Sequence, residues 1–344
     1  MARSVCNSVR SMRLVAVVAL VGLAIPAFAQ QSVKFQATDR AFSEAYRQED
    51  WDLAVDLGYK LVQILPDRAV PKYNLACIYA LKGDSTSSLL WLRRAAEAGF
   101  KNLSHLDSDS DLDAVRDLAG YASVRAMVEE NKHHHRGEVC EKASATPPIV
   151  IAPKNLRPGE KVPVIIALHG FGDHPENYPH IWGGAAAEIG AVLAVPQGLR
   201  PVGSGFAWGD LEEAEAILEL TMKQVSEWFS VDRDRIVLTG FSQGAFMAMA
   251  LGTRHQDVFA GVIPVAGGYL PEIDAPPEAS SGSPRFYFLV GDLDQAAPQT
   301  RRAADDYKKA GYDVRLRVAA NVGHTFPRPL NRELGRALEF VLDR

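Results

Sequence analysis

The chain has 344 residues, 47% of them hydrophobic and 23% charged, an ordinary globular composition with enough material for two separately cored domains. Such a composition excludes a chain disordered throughout, and the formal net charge of −5 argues against nucleic acid as a partner.

Arg3, Arg10 and Arg13 precede an apolar run from Leu14 to Ile25, which Pro26 and Ala27-Phe28-Ala29 close. A basic start, 12 apolar residues and a small-x-small end predict a secretory signal peptide over residues 1–29, cut after Ala29. The expected location is periplasmic or extracellular. An uncleaved anchor is the weaker reading, because a helix needs about 20 apolar residues to span a bilayer; no stable membrane span is expected after cleavage. Removing 1–29 takes away three arginines and no acid, which moves the formal charge from −5 to −8. Cys6 leaves with the signal. Cys77 lies in an apolar helical pattern and Cys140 in a polar stretch. An oxidising compartment permits a bridge between them, but a buried Cys77 and an exposed Cys140 that never meet is the favoured reading.

Residues 33–131 read as consecutive helices with short breaks. An offset of 34 residues pairs Asp50 with Asp84, Ala54 with Ser88, Leu61 with Ala95 and Pro66 with Phe100, and Asn74-Leu75-Ala76, Tyr79 and Gly83-Asp84 fall in the second unit. These residues resemble the tetratricopeptide repeat, which implies stacked helix pairs and a surface for a protein partner. The first unit departs from the pattern at Gly58, and a third, Leu112 to Glu130, is partial. Because about three repeats are needed for a self-supporting stack, this helical module is expected to lean on the rest of the chain or on a partner. Residues 132–148, with mixed charge, small residues and a double proline, read as a linker. His133, His134 and His135 with Cys140 are not expected to hold a metal, since three adjacent histidines cannot readily face one ion.

From 149 to 344 the pattern becomes an α/β one. Val162–Leu168, Ala191–Val195, Arg235–Thr239, Val262–Val265, Phe286–Val290 and Val314–Val318 read as strands; Leu211–Phe229, Gly244–Arg254, Ala297–Ala310 and Asn331–Leu342 read as helices. Near-continuous apolar strands alternating with helices predict a doubly wound, mostly parallel sheet, with its ligand outside the carboxyl ends of the strands.

Gly240-Phe241-Ser242-Gln243-Gly244 stands between one such strand and a helix. A strand that ends at a serine and turns at once into a helix lifts the hydroxyl clear of the sheet, and flanking glycines relieve the crowded backbone. A hydroxyl is a poor nucleophile without a base oriented by a third group. His324, in a loop after the last strand, is the candidate base among nine histidines. The acid should follow the preceding strand, where Asp292 and Asp294 compete. Backbone N–H groups of Gln243 and of the His169-Gly170-Phe171-Gly172-Asp173 loop are candidate stabilisers of an oxyanion.

Through Leu168-His-Gly-Phe-Gly-Asp173, Gly240-Phe-Ser-Gln-Gly244, Gly291-Asp-Leu-Asp294 and Gly323-His-Thr-Phe326, residues 149–344 resemble the α/β-hydrolases, and among them the compact carboxylesterase and phospholipase-like esterases. The resemblance implies Ser242 as nucleophile, Asp294 as acid, His324 as base, and Phe171 and Gln243 N–H as the oxyanion hole. It also implies a small-molecule or acyl ester as substrate and no metal or cofactor. Phe206-Ala-Trp-Gly-Asp210 resembles the family's tryptophan loop, which makes Trp208 a candidate substrate contact, pocket lining and core packing being equally open; Gly209 replaces the usual aromatic. About 20 residues, including Tyr269, Leu270 and Pro271, separate Val265 from Phe286. That is too short for a helical lid, so an open site and hydrolysis are expected. The alternatives are a serine peptidase on the same fold and an interaction module whose hydrolase-like domain is inert.

Overall fold

The computed structural model describes residues 34–157, 159–268 and 276–343. The signal-peptide expectation at 1–29, and Tyr269, Leu270 and Pro271, lie outside them. The chain divides into two compact units between His135 and Arg136.

The first unit is helical: α1 (34–47), α2 (Trp51–Ile64), α3 (Ala69–Leu81), α4 (Ser85–Glu97), α5 (Leu103–Ser108), α6 (Asp113–Arg116) and the start of α7 (Ala119–Ser144). Asp50 and Asp84, the pair related by the 34-residue offset, are both N-caps, accepting from Leu53 N–H and Ser87 N–H. A short carboxylate at this position satisfies one of the orphan donors of the first turn. The starts of α2, α4 and α7 fall at the same 34-residue spacing. Helix α3 is buried on most of its surface, through Tyr73, Leu75, Ala76, Cys77, Ile78 and Ala80, and packs between α2 and α4.

Residues 132–144, expected within a linker, are instead helical, because α7 runs to Ser144. Val139 and Ala143 are buried in the core of the second unit and Cys140 packs partly buried against it. One apolar stripe, i to i+4, orders a segment whose polar outer face resembled a loop. Pro147 and Pro148 mark its end. Successive residues of a helix point roughly 100° apart, so His133, His134 and His135 diverge. Cys77 and Cys140 are both free.

The second unit is built on a seven-stranded sheet in the order β1-β3-β2-β6-β7-β8-β9. The strands are β1 (Ile149–Ile151), β2 (Val162–Leu168), β3 (Val192–Val195), β6 (Val231–Phe241), β7 (Gly261–Val265), β8 (Arg285–Gly291) and β9 (Val314–Ala319); only β1 runs antiparallel to its neighbour. A small hairpin, β4 (Arg200–Val202) and β5 (Gly205–Ala207), lies outside this sheet.

Alternate residues of each strand enter opposite cores, as the pleat requires. Val164, Ile166, Leu238 and Phe288 pack with α9 (Leu211–Trp228), α10 (Gln243–Arg254) and α11 (Ala297–Lys309), while Ile165, Ala167, Val237 and Leu289 pack with α8 (Tyr178–Glu188) and α12 (Leu330–Leu342). Burial on both faces explains why the strands read as unbroken apolar runs. Among the described residues no helix is long and apolar enough to cross a membrane.

Candidate active site

Strand β6 delivers Phe241, and the chain reverses into α10 at Ser242, whose φ of 52° and ψ of −114° lie outside the ordinary wells of a non-glycine residue. Such a conformation costs of order 1–3 kcal/mol and persists only where the surroundings enforce it. Here Ser242 N–H donates to Val265 O on β7 at 2.9 Å. A Cβ at Gly240 would strike the Gly244 carbonyl, and one at Gly244 would strike the carbonyls of Leu168 and His169. The two glycines therefore let the start of α10 lie directly against the end of β2.

His324, in the loop after β9, reaches Ser242: its Nε2 is 2.9 Å from Ser242 Oγ. Its Nδ1 is 3.0 and 2.9 Å from the two oxygens of Asp294, in the loop after β8. With Nδ1–H donating to the carboxylate, Nε2 is left to accept from the serine hydroxyl. The Asp294 side chain is fully buried and also accepts from Ala296 N–H at 2.8 Å. Asp292, the competing acid, is exposed and accepts from Val322 N–H at 3.3 Å. The geometry thus brings together Ser242, His324 and Asp294 and leaves Asp292 aside. The Phe241 ring lies 5.0 Å from the His324 ring and stacks on Phe326 at 4.9 Å, giving the imidazole an apolar backing.

The loop after β2 adjoins Ser242. A Cβ built on Gly170 would lie 3.1 Å from the Phe241 ring and 3.6 Å from Ser242 Cβ. Most of this loop's polar atoms are spoken for: Gly170 N–H donates to Tyr178 Oη, Gly172 N–H to Phe206 O, and Phe206 N–H to Asp173 O. Among the described residues, Phe171 N–H and Gln243 N–H have no protein acceptor. Two free N–H groups beside the Ser242 hydroxyl suit a developing negative charge, the second with a helix N-terminus behind it. The Phe171 side chain is 62% exposed, and Leu293, beside Asp294, is 69% exposed.

Trp208 does not line the site. It is fully buried in the core that contains α9 and α10, and its indole N–H donates to His169 O at 2.8 Å. Sequence reasoning left His169 and Tyr178 without a role. His169 is buried and held neutral, its pKa lowered by desolvation; Nδ1–H donates to Gly170 O and Nε2 accepts from Gly198 N–H. The signal that could have found it is its place directly after β2, where a strand end meets a glycine turn.

Among the described residues, one group of metal-type donors occurs in the first unit. Cys77 Sγ and carboxylate oxygens of Asp109 and Asp111 lie within 4.8 Å of one another, beside a cavity of about 490 Å³. Tyr73 Oη–H donates to Asp109 at 2.6 Å and Tyr46 Oη–H to Asp111 at 2.9 Å, while burial pushes the Cys77 thiol pKa up. Each carboxylate thus accepts from a tyrosine hydroxyl.

Residues 209–341 match the family model described as phospholipase/carboxylesterase. That span lies wholly within the second unit, whose mostly parallel sheet between helices is α/β-hydrolase-like. The chain is also similar to poly(3-hydroxyalkanoate) depolymerase C of Paucimonas lemoignei, 31% identical over 116 residues, which is 31% of this chain and 28% of the relative. Among solved structures the chain is similar to a carboxylesterase of Mesorhizobium loti (19% identity, 52% of this chain, 89% of that one, TM-score 0.46). Another is a carboxylesterase of Bacillus cereus (17%, 59%, 98%, 0.46). The chain spans less than half the length of the curated relatives it matches.

Proposed function

We propose that the protein is an exported serine hydrolase that cleaves a carboxylic ester through a covalent acyl-enzyme. The observation that carries this reading is the hydrogen-bonded line from Ser242 Oγ through His324 to the buried Asp294, beside two N–H groups with no protein acceptor. Ser242 Oγ attacks the ester carbonyl carbon as His324 Nε2 takes its proton, and Asp294 stabilises the imidazolium without itself becoming protonated. The negative charge on the former carbonyl oxygen is met by Phe171 N–H and Gln243 N–H, each such donor contributing about 10²- to 10³-fold in rate. Collapse breaks the bond to the alkoxy oxygen, which leaves with the proton from His324. Water then gives a proton to His324 and attacks the acyl carbon; a second collapse returns that proton to Ser242 Oγ and frees the acid. No metal or cofactor enters these steps.

Export rests on the composition of residues 1–29, and the apolar Phe171 and Leu293 at the rim favour an acyl or alcohol group with apolar surface. The test is labelling of the mature protein with a fluorophosphonate, wild type beside Ser242→Ala. A panel of aryl esters of graded length, short 3-hydroxyalkanoate oligomers and peptide anilides follows. Serine-dependent labelling with ester turnover supports the reading; an unlabelled wild type overturns it, and turnover of anilides alone makes the protein a peptidase.

A further inference from the structure

The two candidate oxyanion donors come from different elements, Phe171 from the loop after β2 and Gln243 from the first turn of α10, and the pairing of β2 with β6 ends at Leu168 and Gly240, three residues before each donor. Something must fix their separation, because an oxyanion is stabilised only when both donors converge on one point. One buried residue touches both sides. The Trp208 indole N–H donates to His169 O at 2.8 Å, two residues before Phe171. The Trp208 main chain grips the Gln243 side chain in both directions, Trp208 N–H donating to Oε1 at 3.1 Å and Nε2 donating to Trp208 O at 2.9 Å. His169 completes the frame: its ring lies 4.9 Å from the Trp208 ring, and its nitrogens bind Gly170 O and Gly198 N–H.

We infer that Trp208 and the Gln243 side chain are positioning residues that set the spacing of the Phe171 and Gln243 N–H groups. The inference rests on the esterase reading above. It gives Gln243 two separate jobs, one for its main-chain N–H and one for its amide side chain. It also turns the tryptophan loop into a cross-brace beneath the site, not a wall of the pocket.

The structure supplies a matched control in Trp182. It too is fully buried, against the opposite face of the sheet, and its indole N–H has no hydrogen-bond partner among the described residues. Trp208→Phe and Trp182→Phe therefore remove the same atoms from equally buried sites, and only the first breaks a link to the oxyanion loop. The experiment compares both with wild type and with Gln243→Met, which keeps the main-chain N–H and the side-chain length but loses both amide hydrogen bonds. Fluorophosphonate labelling rate, kcat and KM on one aryl ester, and affinity for an alkyl boronic acid are measured, with circular dichroism confirming folding. A misplaced group of this kind lowers rate by up to about 100-fold. Trp208→Phe and Gln243→Met should each lower kcat about 10-fold, leave KM within about twofold, and weaken boronic acid binding in proportion to kcat. Trp182→Phe should leave all three near wild type. Equal kcat in the two tryptophan variants overturns the inference, as does a rise in KM at unchanged kcat; Gln243→Met decides alone should Trp208→Phe not fold. Failure of the esterase reading itself is distinguishable, because the wild type would then be neither labelled nor active.

Discussion

Asp294 in the second unit and Asp109 in the first are both carboxylates withdrawn from solvent, with side chains 0% and 13% exposed, and both accept from a titratable neighbour. Their donors differ. Asp294 faces an imidazole that is 39% exposed and whose far nitrogen meets a hydroxyl on a strained backbone. Asp109 faces Tyr73 and Cys77, both nearly buried, and burial raises the pKa of each, so both remain protonated donors. Buried carboxylates with short hydrogen bonds are thus not enough for chemistry. The group next in line must be able to take up a proton and must open onto the space where a substrate would lie.

The strongest test of this contrast is Ser242→Ala, expected to lower kcat by roughly 10⁴-fold or more, read as ester turnover and loss of labelling. Asp294→Asn should follow, with a fall approaching about 10⁴-fold because the amide favours the wrong imidazole tautomer. Asp292→Asn should leave kcat within about twofold; comparable losses at 292 and 294 would undo the assignment of the acid. On the other side, Asp109→Asn should leave kcat unchanged while lowering stability by about 1–3 kcal/mol, since one amide oxygen replaces two acceptors, one taking the Tyr73 hydroxyl and Cys77 thiol and the other taking Asp111 N–H. A large loss of ester turnover in that variant would erase the distinction between the clusters.

A third withdrawn carboxylate sharpens the comparison by pH. Glu333 on α12 accepts from Arg317 Nε at 3.0 Å and Nη2 at 3.3 Å, and these bonds hold its pKa below the ordinary glutamate value. A carboxyl with a depressed folded pKa contributes its stability in full above the unfolded value of about 4.3, and loses it as pH falls from there through the folded value. Glu333→Gln should therefore lower the melting temperature at neutral pH, the smallest effect of the set. The gap to wild type should close progressively below about pH 4.3. A gap that stays constant into acid would mean the pair contributes through packing alone.

Strand β2 was legible to the residue, because Val162–Leu168 is buried on both faces and cannot hide a polar position. Strand β6 was read from Arg235 and starts at Val231, since its polar first half pairs with β2 at the sheet end without burying much. Helix α8 carried Gly183-Gly184 in its middle, which weakens a helical pattern, and tertiary packing of Tyr178 and Trp182 overrides it. The three-residue strands β4 and β5 offer no period to detect. Within the site, Ser242, Asp294 and His324 were readable because each follows a strand end. Trp208 was not, for a tryptophan beside a site reads the same whether its indole faces a substrate or a backbone carbonyl. The helical continuation to Ser144 was missed because three small apolar residues, Val139, Cys140 and Ala143, hold down a segment that is otherwise charged.

The left-handed φ of Ser242 narrows the chemistry open to this fold. Threonine carries the same hydroxyl, yet its second Cβ substituent makes a positive φ a severe outlier, so an alcohol of equal reactivity cannot occupy the turn. Cysteine, unbranched at Cβ, fits the same backbone. At position 242 the shape of the β-carbon, and not nucleophilic strength, therefore decides which reactive atoms evolution could try.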